Sequence, residues 1–199
     1  MLCRIAGWLL LIEGFFMVFP ALTSLGYGES DSVVFGATAF ATALVGLLLA
    51  RFSKPQSSHM GKRDGYLLTA MVWVVFSLFG MVPFLFCSRP IGITDSFFEA
   101  MSGFTTTGAS VLESVDGMSH GIHLWRAMMQ WIGGMGIILF TLAVIPMLNH
   151  SGGMQMFNAE VTGITHDKIQ PRISQTAKSL WLIYFGLTVI LVLLLWAGP

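Results

Sequence analysis

Charge is what this chain of 199 residues has least of: Lys, Arg, Asp and Glu make up 10% of it, against about 25% in an ordinary soluble domain. Ten basic residues balance ten acidic ones, so no net field draws it to nucleic acid. Its two cysteines, Cys3 and Cys87, are too few for a disulfide framework. On the topology derived below they fall near opposite faces of a bilayer, too far apart to pair within one chain. Disordered, collagen-like and soluble-enzyme classes all fit this composition poorly. What is abundant is apolar: hydrophobic residues reach 55%, with 22 Gly, 16 Phe and 13 Met, a mix suited to close helix packing in lipid.

A helix needs about 20 mostly apolar residues to cross the hydrocarbon core. Five stretches come close: Ile5–Leu25, Val33–Ala50, Tyr66–Cys87, Ala127–Leu148 and Leu180–Ala197. The first holds Glu13 as its one charge, which argues against a cleaved secretory signal. A carboxylate at that depth calls for a partner, and a hydrogen bond to a neighbouring helix is expected. Pro20 is expected to kink the same span. Eight of the ten basic residues share one side of this layout: Arg4, Arg51, Lys54, Lys62, Arg63, Lys168, Arg172 and Lys178. Glu29, Asp31, Asp95, Glu99, Glu113 and Asp116 gather on the other, with Arg89 and Arg126. Basic loops stay in the cytoplasm, so the N-terminus is expected there.

Between the third and fourth spans, Ser96 and Glu99 have the spacing of a capping box, and Phe97, Phe98, Met101 and Phe104 form an apolar stripe at helical spacing. A helix from Ser96 to Phe104 is roughly 13 Å long, about halfway through the core, so the chain must turn back. Irregular backbone at that depth is tolerated only where protein covers it or water reaches it. Thr105-Thr106-Thr107-Gly108-Ala109-Ser110 then reads as a pore lining. Extended backbone can present carbonyl oxygens to a cation that has shed its water. Gly108 adopts angles closed to other residues, and the C-terminal end of the preceding helix favours positive charge. The alternative is a solvated external loop with its phenylalanines resting on the membrane surface.

The run Phe98-Glu99-Ala100-Met101-Ser102-Gly103-Phe104-Thr105-Thr106-Thr107-Gly108-Ala109-Ser110 resembles the first pore loop of the Trk-type potassium uptake subunits, relatives of the Ktr and plant HKT transporters. Gln130-Trp131-Ile132-Gly133-Gly134-Met135-Gly136-Ile137 resembles the helix that follows in that family. Lys168-Ile169-Gln170-Pro171-Arg172-Ile173, with Thr176-Ala177-Lys178, resembles the cytoplasmic approach to its next unit.

The resemblance covers the whole chain and implies an all-α polytopic membrane protein: five transmembrane helices, one re-entrant pore helix and a filter loop. The implied organisation is a two-helix extension (1–60), a first helix–pore loop–helix unit (61–150), a cytoplasmic linker (151–179) and the opening helix of a second unit (180–199). The implied activity is potassium uptake across a bacterial inner membrane, passive or coupled as symport, with no enzyme chemistry and no organic cofactor. By the same resemblance, Thr106, Thr107 and Gly108 contribute to the potassium filter, and Thr105 and Ala109 flank it. Members that pass sodium commonly carry serine at the place of Gly108, so potassium is the implied ion. The implied partners are a second copy, a ring-forming nucleotide-binding regulatory subunit in the cytoplasm, and the lipid bilayer; no nucleic acid is expected. The family has four pore loops in one chain and this sequence has one. It is therefore expected to be the N-terminal part of a longer protein, the alternative being a truncated, transport-inactive piece that acts only through its contacts.

Gly133, Gly134 and Gly136 leave one face of the fourth span bare, so another backbone, that of the filter strand, is expected against it. No strand precedes them, which disfavours a nucleotide-binding loop. His120 and His123 are two ligands where zinc takes three or four, and are expected to be solvated. No histidine falls inside a span to activate Ser102 as a nucleophile. Gly152-Gly153 and Pro171 are expected to break structure in the segment from Asn149 to Ser179.

Overall fold

The structure, a computed structural model, describes residues 2–53, 62–149 and 169–198, and these are helices and their connections, with no strand among them. Among the described residues seven helices follow in order: α1 (Leu2–Gly26), α2 (Asp31–Phe52), α3 (Lys62–Gly80), α4 (Val82–Phe86), α5 (Ile93–Phe104), α6 (His120–Asn149) and α7 (Ile169–Ala197). The chain divides into two units, residues 1–134 and 135–199.

In the first unit, α1 and α2 form an antiparallel pair set by small residues. A Cβ on Gly7 would stand 2.6 Å from both the Gly46 oxygen and the Ala50 nitrogen, and one on Gly14 would stand 3.0 Å from the Ala39 oxygen. Lipid tails are as apolar as leucine, so this close backbone approach, rather than loss of water, holds such helices together. Pro20 lies inside α1, which continues past it. Among the described residues, Cys3–Gly26, Asp31–Phe52 and Gln175–Ala197 are helices long and apolar enough to cross a membrane. The expected fourth span lies within the 30 residues of α6.

The expected third span is broken in two. Pro83 has no N–H to give the Phe79 oxygen, and the Phe84 N–H bonds instead to the Met81 oxygen at 3.0 Å. The Gly80 oxygen accepts the Trp125 indole N–H at 2.9 Å. The hydrophobic core gathers around this break: Phe84, Phe76, Phe104, Trp125, Met129 and Phe35 are all buried. Phe104 packs edge-on to Trp125 at 6.1 Å between centroids.

Helix α5 begins at Ile93 with Gly92 as its N-cap, so Ser96 is already inside it and the expected capping box does not form. The Ser96 N–H bonds to the Gly92 oxygen at 2.8 Å, and its hydroxyl donates to the Ile91 oxygen at 3.4 Å. Asp95 supplies the acidic residue of the first turn. The packed face is Ser96, Glu99, Ala100, Ser102, Gly103 and Phe104, so of the aromatic stripe only Phe104 is fully buried: Phe98 is 42% exposed, and Phe97 and Met101 are half-buried. In lipid a bulky apolar side chain loses little by facing outward, while small residues let helices meet.

Glu13 is completely buried, and neither carboxyl oxygen has a hydrogen-bond partner among the described residues. The expected bond to a neighbouring helix is therefore not found; Oε1 lies 3.3 Å from where a Cβ on Gly80 would stand. In the second unit, α7 is helical from Ile169, with Pro171 in the first turn, where no intrahelical N–H bond is required of it. Its surface is apolar and open, Leu182, Leu194 and Trp196 among it. Lys54, Lys168 and Gly152-Gly153 fall outside the described residues, as does most of the expected linker.

Candidate functional site

Residues 105–108 follow directly on the end of α5, and their amides are spent on that end. The Thr105 N–H bonds to the Met101 oxygen at 2.9 Å, the Thr106 N–H to Gly103 at 3.0 Å, the Thr107 N–H to Ser102 at 3.0 Å and the Gly108 N–H to Ser102 at 3.4 Å. With Thr106 at φ 58°, this is a Schellman helix end. A β-branched residue in that left-handed position is unusual, since glycine normally takes it. Gly108 is left-handed too, at φ 73°.

Four successive N–H groups are thus taken up by the helix end. Among the described residues no hydrogen bond reaches the main-chain oxygens of Thr105, Thr106, Thr107 or Gly108. Thr105 is half-buried, while Thr106, Thr107, Gly108 and Ala109 are exposed. The Thr105 hydroxyl donates to the Met101 oxygen at 2.7 Å and lies 2.8 Å from the Thr107 hydroxyl, so these two act as props. The Ala109 oxygen is taken by the Ser102 hydroxyl at 2.6 Å. Chemically, the loop offers a short row of uncommitted oxygens and no nucleophile, base or metal-ligating cluster. No group of three His, Cys, Asp or Glu able to hold a metal occurs among the described residues.

Three neighbours fix the loop in place. Phe104 lays its main chain directly on Gly133: a Cβ there would collide with the Phe104 oxygen and carbonyl carbon. Gly133 of α6 thus receives the end of α5 rather than the strand beyond it. Glu99, 4% exposed, accepts the Ser110 hydroxyl and the Val111 N–H at 2.7 Å each. Its other oxygen accepts Arg126 Nε at 3.2 Å.

Farther out, Glu29 caps α6 across the fold. Its carboxylate accepts the His120 N–H at 2.9 Å and lies 2.8 Å from His120 Nδ1, while the His120 ring stacks on Tyr27 at 3.8 Å. His120 is therefore anchored rather than merely solvated. Partial burial pushes the Glu29 carboxyl up, but the hydrogen bonds from His120 and Gly121 outweigh it and hold it below the usual carboxylate range.

A family model for cation transport proteins, TrkH, matches residues 30–198. The chain belongs to this family. The Trk system potassium uptake protein TrkH of Escherichia coli K12 is 41% identical over 195 residues, 97% of this chain and 40% of that protein. TrkG of the same strain is 30% identical over 184 residues, 91% of this chain and 38% of that protein. The crystal structure of the potassium transporter TrkH from Vibrio parahaemolyticus matches with a TM-score of 0.78 at 35% identity, covering 95% of this chain and 37% of that one. The chain thus spans about 40% of the length of these relatives. It is an all-helical, multi-pass membrane protein of a transport family, not an enzyme.

Sequence reasoning named the loop but missed its supports. Glu99 was assigned to a cap that Gly92 makes unnecessary, and Arg126, 27 residues away, carried no local signal. The available clue was two opposite charges placed on otherwise apolar helices, which in a membrane calls for pairing.

Proposed function

We propose that this chain supplies one wall of a potassium-conducting pore through which the ion enters the cell. Thr106, Thr107 and Gly108 are its filter residues. Thr105 flanks them at the deep end, next to α5, and Ala109, whose oxygen Ser102 occupies, bounds them on the external, entry side. The supporting observation is the one-sided pairing of the loop: its amides are consumed by the end of α5 and the oxygens of residues 105–108 stay open. A dehydrated potassium ion needs such oxygens at close range. Potassium, rather than another cation, is favoured because relatives that match nearly all of this chain are potassium uptake proteins. The basic side of the layout supports a cytoplasmic N-terminus in a bacterial inner membrane. A second copy and a cytoplasmic nucleotide-binding subunit are the partners in keeping with the family likeness.

One loop cannot surround an ion, so like loops must complete the ring. The test is rubidium uptake in potassium-uptake-deficient cells expressing three proteins: this chain alone, the Escherichia coli relative with its aligned 195 residues replaced by this chain, and that hybrid with Gly108→Asp. The hybrid is expected to carry rubidium, the chain alone to be silent, and Gly108→Asp to abolish uptake at equal membrane abundance. Undiminished uptake by the Gly108→Asp hybrid overturns the filter assignment. Uptake by the short chain alone means that several copies assemble around one path.

A further inference from the structure

We infer that Glu99 and Arg126 form a strut that holds the outgoing limb of the loop and thereby sets its choice between ions. The inference deepens the filter reading and rests on it. The incoming limb is fixed by the end of α5, through the amides of Thr105 to Gly108. The outgoing limb has no helix to cap. Beyond Ala109, whose oxygen the Ser102 hydroxyl holds, it is held by a carboxylate: Glu99 Oε1 accepts the Ser110 hydroxyl and the Val111 N–H, both at 2.7 Å. Glu99 Oε2 accepts Arg126 Nε at 3.2 Å and lies 3.1 Å from Nη2. The circuit closes on itself, because Arg126 Nη2 also donates to the Ser110 oxygen at 3.1 Å. That oxygen accepts the Leu112 N–H at 3.2 Å as well.

A carboxylate 4% exposed is costly unless every lone pair is met, and this one is met by a hydroxyl, an amide and a guanidinium. The arrangement ties three elements at one point: the pore helix through Glu99, the limb through Ser110 and Val111, and α6 through Arg126. Between the two anchored ends lie Thr106, Thr107 and Gly108, with open oxygens and exposed surfaces. Oxygens held apart by fixed ends suit a larger cation, whereas a slack loop can close around a smaller one. Selectivity depends on the number, field strength and freedom of such ligands. Glu99 and Arg126 are therefore positioning residues: they touch no ion and act through the limb.

The test uses the hybrid transporter and, in parallel, the 199-residue chain in lipid nanodiscs. Glu99→Gln removes the charge at nearly constant shape. Arg126→Lys keeps the charge but loses the two-pronged donor. Ser110→Ala removes the shared hydroxyl at an exposed position. In the hybrid, at matched membrane abundance, each of the first two is expected to raise the sodium-to-rubidium uptake ratio about tenfold, and Ser110→Ala about threefold. In the nanodisc chain, Glu99→Gln is expected to speed amide exchange at Val111 about tenfold, with exchange at Thr107 unchanged.

A purely architectural role predicts equal loss of both ions at an unchanged ratio, and that result overturns the inference. If Glu99→Gln fails to reach the membrane, Arg126→Lys and Ser110→Ala decide: an unshifted ratio in both refutes the strut. The Gly108→Asp hybrid separates the two readings. If it still carries rubidium the filter reading falls, and the selectivity role falls with it. If it is silent while the strut variants keep the parental ratio, only the strut is wrong.

Discussion

Thr106 and Gly108 share a left-handed backbone for different reasons. Thr106, at φ 58°, terminates α5, and a β-branched residue there costs about 1–2 kcal/mol relative to its ordinary conformations. Thr106→Gly is expected to stabilise the helix end by about 1 kcal/mol, read as slower amide exchange at Thr107. Gly108 has nothing within 4 Å of a built Cβ, so Gly108→Ala meets only the backbone penalty of about 1 kcal/mol. Gly133→Ala, which drives a methyl into the Phe104 main chain, is expected to cost about 3 kcal/mol. Chemical unfolding in detergent compares the two, and equal losses contradict the packing described here. Glu29 supplies a pH dependence. Its carboxyl is held below the usual range, so its tie to α6 is complete above the ordinary carboxylate pKa and is lost as pH falls through the lowered value. The protection of the His120 amide, relative to its intrinsic exchange rate at each pH, is expected to fall on acidification, and Glu29→Gln to remove that dependence. Of these residues, the left-handed Gly108 was legible in the sequence because glycine's freedom is local, whereas the left-handed Thr106 was not. Glu29 was not, since its partner His120 lies 91 residues away.

Helices of this protein are decided by composition, and their ends by contacts that composition does not contain. The long apolar runs of α1, α2 and α7 announce themselves by length alone. The break between α3 and α4 did not, although Pro83 was in plain view. A proline inside an apolar run can be absorbed, as Pro20 is within α1, or can divide the helix, and the outcome depends on whether another group satisfies the freed oxygens. Here Trp125 does so for Gly80. Trp125→Phe keeps the aromatic packing but leaves that buried oxygen unpaired, a loss of about 1–3 kcal/mol. Thermal unfolding of the lipid-embedded protein measures it, and a neutral result means the indole bond does not support the break. The start of α5 was misplaced for a related reason: Ser96 and Glu99 satisfy the spacing of a cap, but so does any Ser and Glu one turn apart inside a helix. The aromatic stripe misled in part, because in lipid large apolar side chains do not by themselves mark the packed side: Phe104 is buried whereas Phe98 is exposed.

At the scale of the molecule, the two units differ in how much of their apolar surface is covered. The first encloses a core around Phe104 and Trp125, whereas α7 leaves Leu182, Leu194 and Trp196 open. Such a surface suits lipid or further helices of the kind its longer relatives possess. The family could be read from three short motifs, because loop, following helix and linker each keep their own residues in order. Partners, coupling and orientation could be read only as implications, since they depend on surfaces and charges spread over the whole assembly. The charge distribution nonetheless makes a global prediction. Adding two lysines at positions 113 and 116, in place of Glu113 and Asp116, weakens the basic bias that sets orientation. A larger fraction of chains is then expected to insert inverted, as scored by labelling of a cysteine placed at residue 114. An unchanged fraction shows that orientation is set elsewhere.

The empty side of Gly133 also limits how this sequence can change. Because the Phe104 main chain occupies the space where every other residue carries its first carbon, no side chain added at 133 can be accommodated by trimming a neighbour. Main chain has nothing to trim. A saturation library at 133 is therefore expected to return glycine alone, whatever residue stands at 104, while positions such as Phe98 on the open face of the same pore helix accept many replacements. Improvement of the loop by stepwise variation has to go around this point: side chains can be exchanged, but the seam between the two backbones is inherited whole.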